Sequence, residues 1–333
     1  IKVINRYGEK LEDSVTDLIE AYIDGDTEPL GISGTDIPFA QREKVGCIVD
    51  YVSGRNRYVG YLISVASNSY KKLRIGLDCA NGASWMIAQS VFGALGAEIT
   101  VIGNEPDGVN VNRDCGSTKM EKLCQLVREN HLDCGFAFDG DADRCIAVDE
   151  GGNIIDGDRI LYILAKRLKR KDMLKGNTIL ATIMSNLALV NSLKDESIDC
   201  KFTAVGDKYV YSAMQEHDYQ LGGEQSGHII LRKYATTGDA LLTAIMLTEE
   251  MKDRKSSISK LCDAVSLYPQ ITKNYKVTDK SAVTNDQELI NLVNEINEGD
   301  TVKVINGALD IKSGGLLCEN CHYLKETSLN IVD

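Results

Sequence analysis

The stretch from Phe136 to Asp158, FAFDGDADRCIAVDEGGNIIDGD, constrains this chain more than any other. Three aspartates alternate at Asp139, Asp141 and Asp143, and Arg144 follows at once. Apolar runs flank them, Phe136-Ala137-Phe138 before and Cys145-Ile146-Ala147-Val148 after. Short apolar runs separated by a turn predict two strands, which puts the carboxylates in a loop at a strand's end. Carboxylates crowded into one loop repel one another unless a hard cation neutralises them. An oxygen-only donor set suits Mg²⁺ or Ca²⁺ rather than zinc or copper. Two other readings stand beside this one. Asp139, Asp141, Asp143 and Glu150 fall on an EF-hand calcium loop, but Arg144 stands where that loop needs glycine, and the flanks read as strands rather than helices. The plainer alternative is a solvated acidic turn.

The length of 333 residues allows two or three domains, and 43% hydrophobic with 26% charged residues is ordinary for a globular protein. A formal net charge of −12 disfavours nucleic acid or an anionic membrane as partner, because both demand a basic footprint. An anionic small molecule is compatible where a local cluster of Arg, Lys and His outweighs the global field. The ten cysteines are scattered, most of them in apolar runs such as those around Cys47, Cys79, Cys134 and Cys145, and with no secretory segment in view they read as free thiols of a reducing cytosol. Cys318-Glu319-Asn320-Cys321-His322 matches the C-x-x-C-H haem spacing, which is taken as chance and as a zinc candidate at best. No apolar run nears the ~20 residues that cross a bilayer.

Along the chain, strand, turn and helix signals alternate. A strand is expected at Ile1–Ile4, a helix over Leu11–Ile23 ended by Asp24-Gly25-Asp26, a strand or strand pair over Val45–Val52, and a helix over Asn56–Ser67. A second unit opens with a strand at Leu73–Leu77, the turn Asp78–Gly82, a helix over Ala83–Leu95, a strand at Ala97–Ile102, a helix over Met120–Glu129 and the strand Asp133–Phe138. A third repeats the scheme: helix Arg159–Leu168, strand Thr178–Ile183, helix Asn186–Leu193, strand Lys201–Val205, helix Tyr209–His217, then helix Asp239–Met251. Strands alternating with helices predict an α/β protein with largely parallel sheets, whose ligands bind at the carboxyl ends of strands. Beyond Thr272 the signal fades to strand candidates at Lys273–Val277 and Val302–Ile305 and a helix over Asp286–Ile296.

A second constellation is Gly222–His228, GGEQSGH, a glycine-rich turn carrying an acid, an amide, a hydroxyl and an imidazole. Glycines let backbone approach a ligand closely. Glu224 and Ser226 alternate, so after a strand they share a side and suit two adjacent sugar hydroxyls. His228, and Lys208 at the preceding strand's end, offer charge for a phosphate. A plain hairpin turn with solvated polar groups accounts for the same residues.

FAFDGDADR, LGGEQSGHII and ATTGDALLTA, in this order and spacing, resemble the α-D-phosphohexomutase superfamily. GEQSGH, with DCANGAS upstream, is most similar to the bacterial phosphoglucosamine mutase branch. The resemblance runs from Ile1 to about Gln270 and implies consecutive α/β/α domains with mixed sheets around a central cleft, followed by a partial α+β domain. It divides the chain into 1–68 (the later part of domain I), 69–158 (domain II with the metal loop), 159–270 (domain III with the sugar loop) and 271–333 (a partial or altered domain IV). It implies an isomerase that interconverts glucosamine 6-phosphate and glucosamine 1-phosphate through a phosphoserine and a bisphosphate intermediate, supplying UDP-N-acetylglucosamine for peptidoglycan. Sister mutases acting on phosphomannose or phosphoglucose are the nearest alternative, and Gln225 argues against them. A non-catalytic Mg²⁺ and sugar-phosphate binder is the other. In residues, the resemblance implies Mg²⁺ on Asp139, Asp141 and Asp143, and Arg144 on the transferring phosphoryl group. Gly223, Glu224, Ser226, His228 and Lys208 would hold the sugar phosphate, and Lys2 would assist proton transfer. It implies a cytoplasmic protein, with a homodimer left open.

The chain departs from that pattern at two places. The family's T-A-S-H-N-P serine motif occurs nowhere in it, and its place would be just before Ile1-Lys2, so a chain that begins after its nucleophile is expected. The C-terminal phosphate loop R-x-S-G-T-E-P is also absent, with Lys312-Ser313-Gly314-Gly315 its nearest echo. An incomplete first domain predicts exposed sheet edge and poor solubility.

Overall fold

The computed structural model describes residues 50–270 throughout, with parts of 3–47 and of 285–291. Lys2, the strands expected at Lys273–Val277 and Val302–Ile305, and Cys318–His322 lie outside the described residues, as do most of Ile1–Ile4 and of Asp286–Ile296.

Two sheets carry the fold. The first is built from β1 (Arg74–Asp78), β2 (Glu98–Ile102), β3 (Cys134–Phe138), β4 (Cys145–Val148) and the short β5 (Ile154–Ile155), in the order β2-β1-β3-β4-β5. β2, β1 and β3 run parallel, and β4 turns back antiparallel with Phe138 opposite Cys145. The second holds β6 (Thr178–Thr182), β7 (Asp199–Thr203), β8 (Leu221–Gly223) and β9 (Ile229–Leu231), in the order β7-β6-β8-β9. Again the first three are parallel and the last is antiparallel. The recurrence read from the sequence is therefore a topological repeat. The β3–β4 hairpin and the β8–β9 hairpin occupy equivalent places in it.

The helices are α1 (Asp13–Asp24), α2 (Val52–Val65), α3 (Ile87–Ala94), α4 (Glu121–Glu129), α5 (Gly157–Arg170), α6 (Leu187–Asp195), α7 (Asp207–His217), α8 (Ala240–Arg254) and α9 (Ile258–Leu261). Gly25, in the left-handed region at φ 82°, ends α1. Asp156, Asn186 and Asp239 begin α5, α6 and α8, each accepting a backbone N–H from the first turn, a cap worth about 1 kcal/mol. α4 lays Leu123, Cys124 and Val127 on the outer face of the first sheet, and α7 lays Val210 and Met214 on the second.

α8 is the shared element. Every residue from 240 to 251 is buried, because the helix packs on β3 and β4 of the first sheet, on β9 of the second, and on α2 and α5. A helix buried on all sides belongs inside a core rather than on it, and its charged residues need partners there. One hydrophobic cluster accordingly runs from Leu77 and Phe136 through Leu161 and Leu247 to Ile179 and Leu231, so the two sheets are two faces of one body. Opposite the apolar contacts, Arg167 meets Glu250 at 3.0 Å and Asp253 at 2.7 Å. The Glu249 carboxylate accepts the backbone N–H groups of Ser67 and Asn68, which fastens the segment after α2 to α8.

Two expectations are corrected. No strand forms among the described residues of Val45–Val52: a 3₁₀ turn at Arg42–Lys44 precedes them, Val45 is 59% exposed, and Val52 already opens α2. An apolar run makes a strand only where a neighbour offers a ladder. The helix expected from Ala83 starts at Ile87. Ala80 and Asn81 hold φ of 54° and 49°, and the Ala83 N–H is spent on a loop carbonyl outside the helix. Of the four cysteines placed in apolar runs, Cys79, Cys134 and Cys145 are buried free thiols but Cys47 is exposed. Burial pushes Cys79 up to about 12, which keeps it an unreactive thiol.

Candidate functional site

The three aspartates sit, as read, in the turn of the β3–β4 hairpin, and a carboxylate oxygen of each lies within 4.8 Å of the others. β3 and β4 are strands, so the EF-hand reading fails on its flanks. Glu150, its remaining ligand, lies elsewhere, accepting from Ser259. Asp139 shapes the turn: its Oδ1 accepts the backbone N–H groups of Asp143 and Arg144, both at 3.2 Å, which leaves Oδ2 to face the other carboxylates. Ala142 takes a left-handed conformation, φ 60°, at the apex. Burial, and then the neighbouring Asp143 carboxylate, push the Asp139 carboxyl up to about 6. That is the signature of negative charge short of compensation. Arg144 only partly supplies it, with Nε 3.9 Å from both Asp139 and Asp143 and the side chain 44% exposed. Three oxygen donors within a single ion's reach, under-neutralised, fit a hard divalent cation.

The turn is held from below by the DCANGAS segment. Ala83 N–H donates to the Gly140 carbonyl at 2.8 Å, and Gly82 packs so closely that a Cβ there would lie 2.3 Å from that same oxygen. The Asn81-Gly82 turn was read at a strand end. Its part in supporting the carboxylate loop carries no signal in sequence, because it is a contact across the sheet.

The GGEQSGH segment is the turn of the β8–β9 hairpin, closed by Glu224 N–H to the His228 carbonyl and Gly227 N–H to the Glu224 carbonyl, both at 3.0 Å. The two hairpins are bonded to each other. Cys145 N–H donates to the Gly227 carbonyl at 3.0 Å, and Arg144 and His228 form a β-bridge. Glu224 and Ser226 are together, Ser226 Oγ donating to Glu224 Oε2 at 3.2 Å, while Glu224 Oε1 accepts the Gly206 N–H at 2.8 Å. Each carboxylate oxygen keeps a further lone pair for a hydroxyl. The Gly206 contact brings the start of α7, with exposed Lys208 stacked over Tyr209, next to this turn.

Two of the residues expected at the ligand, Gly223 and His228, are buried. Gly223 is a buried strand residue opposite Ile229, where a Cβ would meet the His228 carbonyl at 2.6 Å, so it serves the hairpin's closeness and does not face a ligand. His228 is 3% exposed rather than open to the cleft. Its Nε2 accepts the Gly238 N–H at 3.2 Å, and its Nδ1 faces Asp143 Oδ2 at 3.5 Å. A ring so enclosed faces the third aspartate. Gln225 turns away as well: its carbonyl accepts Gly157 N–H at 2.9 Å and its amide reaches Asp156 at 3.5 Å, which ties the hairpin to the start of α5.

Beside the carboxylates opens a cleft of about 460 Å³, lined among others by Lys10, Tyr58, Asp141, Asp143, Asp207 and Asp239. Lys10 bridges to Asp207 at 3.3 Å. Sequence reading missed Lys10, Tyr58 and Asp239. Only Asp239 had a visible signal, standing before an apolar helix in ATTGDALLTA.

Residues 56–152 match the family model described as phosphoglucomutase/phosphomannomutase, alpha/beta/alpha domain II, and residues 156–268 match domain III. The chain is 51% identical over 289 residues to the phosphoglucosamine mutase of Lachnospira eligens, covering 87% of this chain and 63% of that protein. It is 50% identical over 307 residues to that of Lachnoclostridium phytofermentans, covering 92% of this chain and 67% of the relative. It thus spans about two thirds of the length of these relatives. In fold it resembles an N-acetylphosphoglucosamine mutase of Aspergillus fumigatus solved with GlcNAc-6P and magnesium, with a TM-score of 0.55 at 17% identity, over 68% of this chain and 52% of that one. No helix among the described residues is long and apolar enough to cross a membrane.

Proposed function

The chain belongs to the phosphoglucosamine mutase family of the α-D-phosphohexomutases, and from that premise we propose that it carries the metal-binding and sugar-binding parts of a cytoplasmic phosphoglucosamine mutase. The reaction is the exchange of glucosamine 6-phosphate and glucosamine 1-phosphate. The observation that carries the reading is the bonding of the carboxylate hairpin to the GGEQSGH hairpin, which makes one site of the two motifs.

In this reading residues 1–68 belong to domain I, and 271–333 to domain IV. Asp139, Asp141 and Asp143 would hold Mg²⁺, which when bound neutralises charge on a transferring phosphoryl group. Arg144, exposed beside them, is placed to contact that group through its guanidinium. Glu224 and Ser226 accept and donate to sugar hydroxyls, and Lys208 meets a phosphate. Lys2 is assigned to proton transfer. Gly223 and His228 shape the site from within.

Calorimetry with glucosamine 6-phosphate, with and without Mg²⁺, tests the reading. Mg²⁺-dependent binding, stronger than for mannose 6-phosphate or glucose 6-phosphate, supports it. A preference for mannose or glucose phosphates assigns the chain to a sister mutase, and an absence of any binding sinks the proposal.

A further inference from the structure

We propose that Tyr58 and Asp239 are positioning residues for the carboxylate loop, holding Ala142 and Asp143 from the side opposite the hairpin so that three carboxylates converge on one cation. The inference deepens the metal-site reading above and rests on it.

The links are continuous. The Tyr58 hydroxyl, on α2, donates to Asp239 Oδ2 at 2.8 Å. Asp239 Oδ1 accepts the Leu242 N–H at 2.9 Å, so one carboxylate is fixed at both oxygens and sets where α8 begins. The two residues on either side of Asp239 then reach the site. Ala240 N–H donates to the Ala142 carbonyl at 3.1 Å, across from one sheet unit to the other. Gly238 N–H donates to His228 Nε2, and the glycine lies so flat under the ring that a Cβ would meet it at 2.5 Å. His228 in turn faces Asp143.

Ala142 needs such a hold. A non-glycine residue at φ 60° costs about 1 kcal/mol or more and persists only where its surroundings over-determine it. Without the Ala240 contact the apex is free to relax to ordinary backbone angles, which turns Asp141 and Asp143 away from Asp139. A carboxylate that ligates a metal depends on the groups that orient it, and losing such a group typically weakens metal affinity about 10–100-fold. Tyr58 stands one step further back and should cost less.

The same helix offers a control. The Tyr61 hydroxyl, one turn from Tyr58, donates to the Tyr234 carbonyl at 2.6 Å, so it also tethers α2 to the second unit, but through a hydrogen bond that does not pass through Asp239.

Mn²⁺ binding to the full chain, read by electron paramagnetic resonance and displaced with Mg²⁺, tests the inference alongside thermal unfolding of each variant. Tyr58→Phe is expected to raise the Mn²⁺ Kd roughly fivefold, and Asp239→Ala roughly tenfold or more. Tyr61→Phe should stay within about twofold of wild type while losing thermal stability much as Tyr58→Phe does, since each removes one tyrosine hydrogen bond. Unchanged Mn²⁺ affinity in both Tyr58→Phe and Asp239→Ala overturns the proposal. So does an equal loss in Tyr61→Phe, which would mark a general loosening of α2. If Asp239→Ala does not fold, Tyr58→Phe against Tyr61→Phe decides alone. Wild-type chain that binds no Mn²⁺ overturns the metal site itself, and is distinguishable from the other outcomes because no variant is needed to see it.

Discussion

Replacing Gly82 by alanine puts a methyl group where the structure has no room for one. An ideal Cβ would sit 2.3 Å from the Gly140 oxygen, 2.7 Å from its Cα and 2.8 Å from its carbonyl carbon. All three are backbone atoms, so no side chain can swing aside. Gly82 has no left-handed φ, so alanine suffers from space alone. Restoring ordinary contact requires the two segments to part by roughly 1 Å. The Gly140 carbonyl also accepts the Ala83 N–H at 2.8 Å, and that bond stretches with it. Overpacking of this kind costs about 1–3 kcal/mol, and a compromised hydrogen bond adds about 1 kcal/mol. Gly140 lies between Asp139 and Asp141, so the displacement passes directly into two of the three carboxylates. Binding constellations tolerate about 0.5 Å. Gly82→Ala should therefore lose about 2–4 kcal/mol in urea unfolding and at least roughly tenfold in Mn²⁺ affinity. A folded variant whose Mn²⁺ Kd stays within about twofold of wild type would show that the turn under Gly140 packs against the loop without setting it, and would refute the reasoning.

Other substitutions probe the frame around the site. Gly60 in α2 and Gly93 in α3 have nothing within 4 Å of an added Cβ, so alanine at either should stabilise by about 0.5–1 kcal/mol in urea titrations. Arg167→Met removes the cation shared by the buried Glu249 and Glu250 but leaves Arg170 on Glu250 at 2.6 Å and the backbone donors on Glu249, so it should cost about 1.5–3 kcal/mol, an expectation sunk by a loss under about 0.5 kcal/mol. Asp158 gives a pH effect. Burial pushes its carboxyl from 3.8 up to about 7, with Oδ2 accepting the Asn186 N–H and Oδ1 unpartnered among the described residues. A raised acid means the folded chain keeps a proton that the unfolded chain releases, so this group's stability is present below the unfolded value and lost as pH rises toward about 7. Asp158→Asn, which cannot ionise, should gain stability over wild type at pH 8 relative to pH 5. An unchanged wild-type-to-variant difference between the two pH values would show that the carboxyl does not titrate there.

What the sequence disclosed and what it hid follow from the range of the interactions involved. Local signals were sufficient for β3, β4 and the acidic turn, because apolar runs and three alternating aspartates declare themselves within a few residues. Helix starts were legible where a side chain caps its own helix, as at Asn186, and misplaced where backbone N–H groups serve a distant partner, as at Ala83. His228 was read as a ligand contact from its residue type. Only the fold shows that Gly238 closes over the ring, since that contact joins two segments ten residues apart through a turn with no regular period. Tyr58 was invisible for the same reason in stronger form. As one of several apolar-face residues of α2 it looks like core, and its partner Asp239 is 181 residues away.

The equivalence of the two hairpins limits how such a site can move. The acidic turn closes β3–β4 and GGEQSGH closes β8–β9, each where three parallel strands give way to an antiparallel one. They meet through Cys145 N–H to Gly227 and the Arg144–His228 bridge, while α8 is packed against both sheets at once. Separating the carboxylates from Glu224 and Ser226 would break those bonds and open a buried apolar helix to water at about 25 cal/mol per Å². In the function proposed above, the metal-binding and sugar-binding residues would therefore keep their spacing while a substrate turned over between them.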